Sequence, residues 1–338
     1  MRIASVIAPM SDHNLRLAAQ VGVTDVVGRY PGPHLAELIK LRDRVASFGM
    51  RLSVIEGYIP HDLLVHGKAG RDAQLANFQQ LLRNMAEAGV DICCYNFMPA
   101  DDWARTSVRT AERGGALVTA FDLSKTKQPH RVSGLTSEQM WDNLRYFLEG
   151  VVPVAEAVGV KLALHPDDPP VSPFNGHEQI LTSVEAFERI IDMVPSAANG
   201  VCLCQGVFSQ LDVDIPAAIR RLGSRIHYVH FRDTLGTADN FRETFHDNGK
   251  TDLPTVMRAY KDIGYTGPAR PDHVPTLDGE AIAEGLGFTL PPNEQITADT
   301  FNSATATPMA GYTMLGRLYA VGYMRGLMHG TWGKPAAS

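Results

Sequence analysis

The chain has 338 residues, 44% hydrophobic and 20% charged, with a formal net charge of −6. That balance belongs to a folded globular protein and excludes a disordered one, and the length suits one large α/β barrel of about 250 residues or more with insertions. Lysines and arginines are scattered, with no basic stripe to grip a phosphate backbone, so nucleic acid is excluded as the expected partner.

From the N-terminus, the stretch MRIASVIAPMSDHN holds only a brief apolar run, shorter than a secretory core or a membrane span. The expectation is a cytoplasmic protein without a membrane partner. Compact β-rich runs then recur along the chain: RIASVI, DVVGR, RLSVIEG, VDICCYNF, KLALHP, GVCLC, IHYVHF and GPARPD. Several are continuously apolar, as expected of parallel strands covered on both faces. Helical patterns lie between them. In RDAQLANFQQLLRNMAEAGV, residues Leu75, Phe78, Leu82 and Met85 mark one face and Gly89 ends the helix. In LTSEQMWDNLRYFLEG, Thr136 and Gln139 have capping-box spacing, and Met140, Leu144, Phe147 and Leu148 form the apolar stripe. A third helix is expected near Thr182 and Glu185, running through Val184, Phe187 and Ile191.

Eight alternations of strand and helix, without a G-x-G-x-x-G after any strand, predict a closed (β/α)8 TIM barrel with long loop insertions. The whole chain, 1–338, reads as one domain. Two stretches exceed ordinary loop length, roughly 104–135 and 273–311, and such excursions are usually lids or subunit contacts. Both are expected on the active-site side, and the second makes a homo-oligomer one of the expectations. The four cysteines, Cys93, Cys94, Cys202 and Cys204, have no C-x-x-C spacing and indicate no disulfide framework. Each by itself reads as a small buried hydrophobe unless a site can be built around it.

Barrel enzymes place their chemistry at the C-terminal ends of strands. His165 closes KLALH, Cys204 closes GVCLC, His230 sits near the end of IHYVHF, and Asp272 ends GPARPD. They fall roughly 25–45 residues apart, about one β/α unit when roughly 250 residues are shared among eight. Four consecutive strands would therefore bring two imidazoles, one thiolate and one carboxylate to one rim. That donor set suits a divalent transition ion such as zinc, iron or manganese better than magnesium. Singly, each has a plainer role: His165 or His227 could bond a loop, Cys204 could be core, and Asp272 could pair with Arg270.

CYNFMPADDWART, LHPDDPP, NGVCLCQG, IHYVHFRD, RPDH and AGYTMLGRLYAVGYMRGL, spread over most of the chain, together resemble the mannonate dehydratases of sugar-acid catabolism and hexuronate degradation. The resemblance implies a xylose-isomerase-like barrel, a lyase that binds Mn2+, with Fe2+ as the other candidate, and converts the sugar acid D-mannonate to 2-keto-3-deoxy-D-gluconate and water. By matching positions it implies His165, Cys204, His230 and Asp272 as metal ligands, and Arg270, His273 and Tyr312 for substrate binding and acid–base chemistry. Three departures stand out: Val274 and Pro275 follow RPDH where many members have glycine, Asp233 replaces an asparagine, and a longer segment precedes the Gly311–Tyr312 pair.

Dehydrating a sugar acid means removing a proton α to a carboxylate and expelling a β-hydroxyl. A divalent ion and the planar fork of Arg270 could hold positive charge where negative charge develops. His273 is the expected acid for the leaving hydroxyl and Tyr312 the group that takes the C2 proton, with exchange of the two roles allowed. Glu56, His61, Asn96 and Trp103 are read as substrate contacts or as residues that orient the ligands, as are Asp167 and Asp168. The competing functions are another metal-dependent sugar isomerase or epimerase, and a barrel that binds sugar acids without turnover.

Overall fold

Eight parallel strands close on themselves: β1 (Arg2–Val6), β2 (Asp25–Gly28), β3 (Arg51–Glu56), β4 (Ile92–Tyr95), β7 (Lys161–Leu164), β8 (Asn199–Cys204), β9 (Ile226–Phe231) and β12 (Pro268–Pro271), which pairs back to β1. The computed structural model describes residues 1–99, 103–126, 131–282 and 301–333. All eight runs read from the sequence become barrel strands. Their apolar side chains divide between the barrel interior, which holds Val6, Val27, Val54, Ile92 and Tyr228, and a larger core between barrel and helices.

The helices follow the same logic. Helix α1 (Arg71–Ala88) buries Phe78, Leu82 and Met85 and stops at Gly89, whose φ of 72° is left-handed and cheap only for glycine. Helix α2 (Ser137–Val158) begins in the expected capping box of Thr136 and Gln139. Phe147 of α2 packs edge-on against Phe78 of α1 and lies against Tyr95 of β4, which fixes the end of that strand. The third expected helix, α3 (Val184–Met193), starts one residue later than its sequence spacing suggests. Ser183, not Thr182, accepts the Ala186 N–H at 3.2 Å, and Ile190 rather than Ile191 is fully buried.

The 104–135 excursion is not a bare loop. It carries β5 (Ser107–Ala111) and β6 (Leu117–Asp122), an antiparallel hairpin. A second hairpin, β10 (Thr234–Thr237) and β11 (Asn240–Glu243), follows β9 and joins the first through β11 and β6, giving a four-stranded sheet. Its short strands lack the long apolar runs of the barrel, so the second hairpin left no signal among the sequence patterns. Leu117 of this sheet also exchanges two backbone hydrogen bonds with Thr276, tying it to the segment after β12. Much of the 273–311 stretch lies outside the described residues. Its ends do not: Val274 donates to the Gly311 carbonyl and the Thr313 hydroxyl to that of Pro275, so Val274 and Pro275 help seat Tyr312. A C-terminal helix (Met314–Trp332) follows, and no helix among the described residues is long and apolar enough to cross a membrane.

Candidate metal centre and active site

The strand ends open into a cleft of about 800 Å³. Cys204 is paired in register with His230, and His230 with Arg270, so three neighbouring strands present these groups at one level. One donor atom each from His165, Cys204 and His230 lies within 4.8 Å of the other two. Oxygen atoms behind the two imidazoles orient them. His165 Nδ1 is 2.7 Å from the Pro166 carbonyl, and His230 Nε2 is 3.1 Å from Glu56 Oε2. With each of those nitrogens turned to an oxygen acceptor, His165 Nε2 and His230 Nδ1 face one another at 3.1 Å. A proton held by His230 bridges the two nitrogens without an ion, and a divalent ion would take that proton's place, so the donors present fit a metal ion. Asp272 is outside the group of three, with Oδ2 3.4 Å from His230 Nδ1.

Charge around these donors supports the same role. Burial works against a Cys204 thiolate, but Arg232 and His165 outweigh it and hold the thiol well below its ordinary range. Burial and Arg270 oppose protonation of His230, while Glu56 and Asp272 raise it well above the ordinary imidazole value. Gly206 has no side chain to offer because a Cβ there would lie 2.5 Å from Arg232 Nη1; its absence lets the guanidinium reach under Cys204. Four guanidiniums, Arg29, Arg105, Arg232 and Arg270, pair with four carboxylates, Glu56, Asp168, Glu243 and Asp272. A fifth buried guanidinium, Arg317, is held by the Pro271 and Gly311 carbonyls, and the Cys204 thiolate is a negative charge available to a divalent ion.

The facing wall is made by His273, Trp103 and Tyr312. His273 Nδ1 lies 3.0 Å from Glu243 Oε1, 3.2 Å from Trp103 Nε1 and 3.2 Å from Arg105 Nη2. The Trp103 ring is 5.1 Å from that of His273 and 6.1 Å from that of Tyr312, and the latter two are 5.8 Å apart. Tyr58, Trp103 and His273 all have positive φ, at 59°, 57° and 41°. Such conformations are costly for large side chains and cluster where function holds them in place.

Of the residues selected from the sequence, all line this cleft except Cys204 and Asp167. Several have different tasks from those expected. The fork of Arg270 grips Glu56, through Nη2 at 2.7 Å and Nε at 3.1 Å, while Nη1 pairs with Asp272. It is therefore not free for a bidentate substrate contact. Glu56 spends its oxygens on Arg270, Arg29 and His230. Both nitrogens of His61 face backbone carbonyls, Ile59 at 2.6 Å and Asn96 at 2.8 Å, so this ring ties two loops together instead of awaiting a hydroxyl. Trp103 supports His273, and Asn96 lines the cleft. Asp168 pairs with Arg105 and Arg232, and Asp167 accepts the Leu181 N–H, its carboxyl pushed up to about 7 by burial.

Sequence reading missed Arg29, Arg105, Arg232 and Glu243. Arg29 ends the run DVVGR and Arg232 follows IHYVHF, so the strand-end rule applied to histidines would have found both. Glu243 sits on the second hairpin, where only the fold brings it to the cleft.

Known proteins give three concordant findings. The sequence model of the D-mannonate dehydratase family (UxuA) matches residues 11–136 and 126–290. Mannonate dehydratase 2 of Halalkalibacterium halodurans is 33% identical over 283 residues, covering 75% of this chain and 82% of the relative, and the mannonate dehydratase of Thermotoga neapolitana is 36% identical over 293 residues, covering 75% and 81%. The crystal structure of mannonate dehydratase from Streptococcus suis serotype 2 superposes with a TM-score of 0.85 at 28% identity, over 98% of this chain and 93% of that one. A structure of L-ribulose 3-epimerase, at a TM-score of 0.62 and 15% identity over 98% and 95% of the two chains, shares the fold.

Proposed function

The chain belongs to the D-mannonate dehydratase family, and from that premise we propose how it removes water from D-mannonate to give 2-keto-3-deoxy-D-gluconate. His165, Cys204, His230 and Asp272 would hold a divalent ion, Mn2+ or alternatively Fe2+. What carries this reading is the pair of imidazole nitrogens facing each other at 3.1 Å beside a buried thiolate. A magnesium site would be built from oxygen donors; nitrogen and sulfur donors suit a transition ion.

When bound, the ion supplies positive charge where negative charge develops on the substrate carboxylate and C2. Arg270, fixed by Glu56 and Asp272, adds a second positive charge at the same rim without having to reorient. Arg29 also lines the cleft, with Nη1 held by Glu56 and the guanidinium lying over the Phe301 and Tyr312 rings, and is a further cation for a substrate oxygen. His273 delivers a proton to the departing C3 hydroxyl and Tyr312 takes the C2 proton. Trp103, packed against both rings, sets their spacing. The substrate class suits a cytoplasmic step of hexuronate degradation.

The test is direct. Protein stripped by a chelator should lose formation of the 2-keto-3-deoxy acid from D-mannonate and regain it with Mn2+. Full turnover without metal, or a ketose or epimer as the product, would overturn the scheme. A sugar-acid binder without turnover would keep its function after His273→Ala, whereas a catalyst loses it.

A further inference from the structure

Below the rim donors, the barrel interior contains a second group. Cys94 lies in β4 and Cys202 in β8, and one donor atom from each lies within 4.8 Å of the other and of one on His230. The two thiols are in hydrogen-bond contact, and Cys94 also contacts His230. Strands β4 and β8 are not neighbours, because β7 runs between them. Cys94 is paired in register with Ala163 of β7, and Ala163 with Gly200 of β8. Cys94, Ala163 and Cys202 belong to the same interior cluster, and a methyl group is all that the middle strand places between the thiols.

Two buried cysteines are ordinarily two small apolar side chains. Here an imidazole completes the set, and the barrel holds all three side chains buried before any ligand arrives. The donors also differ from those above. The rim group has one sulfur with Asp272 beside it, whereas this group has two sulfurs and no oxygen, a set that selects thiophilic ions over Mn2+ or Mg2+.

We propose that Cys94, Cys202 and His230 form a second metal site, inside the barrel, for a thiophilic divalent cation such as Zn2+ or Cd2+, and that it competes with the rim site for His230. A neutral imidazole has one lone pair, so it can serve only one of the two ions. Binding forms two metal–sulfur bonds and one metal–nitrogen bond and releases to solvent the protons carried by the two thiols and the one the imidazole gives up, with no change of oxidation state. A soft ion held there would silence the rim centre without touching His273, Tyr312 or the substrate.

Cd2+ titrated into metal-free protein reads the site through thiolate-to-cadmium charge-transfer absorption. The expected intensity is that of two thiolates, falling in the Cys94→Ser, Cys202→Ser double variant to that of one, Cys204. X-ray absorption of the cadmium-loaded parent protein gives the same answer without relying on a variant: two sulfur neighbours support the site, and one or none overturns it. Zn2+ should also inhibit Mn2+-supported turnover, with the inhibition weakened roughly tenfold or more in Cys202→Ser, the scale on which metal affinity responds to altered ligand surroundings. Unchanged cadmium absorption in the double variant would show that the ion goes only to Cys204 and would sink the proposal.

Discussion

The floor and the wall of the cleft come from different parts of the chain. The floor, with His165, Cys204, His230 and Asp272, is set by consecutive strands of the barrel, whose hydrogen-bond register fixes where each side chain stands. The wall, with Trp103, Glu243, His273 and Tyr312, is assembled from excursions and held by buried charge pairs and aromatic contacts. The floor is thus a property of the fold, and the wall of the insertions laid over it. A barrel fold does not by itself fix the reaction, so reaction type is expected to reside in the wall.

The strongest way to break this division is to disable the wall and look at the floor. His273→Asn and Tyr312→Phe should each lower kcat by roughly 10²–10⁴, the usual cost of losing a catalytic acid or base. Metal content should stay at the parent level. In deuterated water, His273→Asn should still exchange the C2 proton of D-mannonate while Tyr312→Phe should not; the opposite pattern would exchange their roles. Loss of the ion from either variant would show that floor and wall are one unit.

Glu243 tests the same boundary from the side of stability. Its carboxylate is 1% exposed and accepts from Arg105 at 2.7 Å and from Arg232 at 2.7 and 3.0 Å, besides meeting His273. Glu243→Gln removes the charge shared by two buried guanidiniums and should cost about 3–5 kcal/mol in chemical denaturation, the scale for breaking a buried pair. The folded variant should show a lower kcat through a displaced His273 with the rim metal retained. A stability change of less than about 1 kcal/mol would mean that Asp168 and Asp272 already satisfy the two arginines.

How much could be read beforehand follows the same line. The floor was legible because a β/α barrel imposes a repeat, so His165, Cys204, His230 and Asp272 each announced a strand end. The eight strands were legible because burial on both faces leaves continuous apolar runs. The second hairpin, 234–243, has two four-residue strands and no such run, and Glu243 came to light only when that hairpin folded against β6. Arg270 shows a different limit. Its residue type and position suggested a substrate clamp, but which partner takes a guanidinium depends on what stands opposite, and Glu56 on β3 is far away in sequence.

Two histidines on one strand sharpen the comparison further. His230 faces Glu56 and Asp272, which raise it, whereas His227, three residues earlier, meets backbone groups, the Leu162 carbonyl at 2.7 Å and that of Ala197. Burial pushes His227 down to about 4. Below the ordinary imidazole value near 6.5, the unfolded chain therefore takes up a proton that the folded chain refuses, and stability falls as pH drops from about 6.5 towards 4. The loss amounts to roughly 2 kcal/mol by about pH 5 and about 3 kcal/mol at the lower limit. Denaturation of His227→Gln at neutral and acidic pH should show a shallower decline than the parent. An equal decline would mean that other groups carry the acid sensitivity.

The smallest effect is expected at Asp233, where the resemblance drawn from the sequence implies an asparagine. This residue follows Arg232 directly, yet its carboxylate turns away from the cleft, accepting from Thr234 N at 2.8 Å, Thr251 N at 2.6 Å and Thr251 Oγ1 at 2.9 Å. A Cβ on Gly249 would lie 2.2 Å from the Asp233 Cγ, so the loop closes tightly over the carboxylate. Asn at this position keeps one acceptor and turns an amide N–H towards donors, at a cost of about 1 kcal/mol. Removing a charge whose pKa burial already raises should offset part of that. Asp233→Asn should therefore shift thermal stability slightly and leave kcat and KM unchanged. A kcat that moves with it would mean that the loop behind Arg232 reaches the floor after all, and that the barrel register does not fix Cys204 and His230 without help from the excursions.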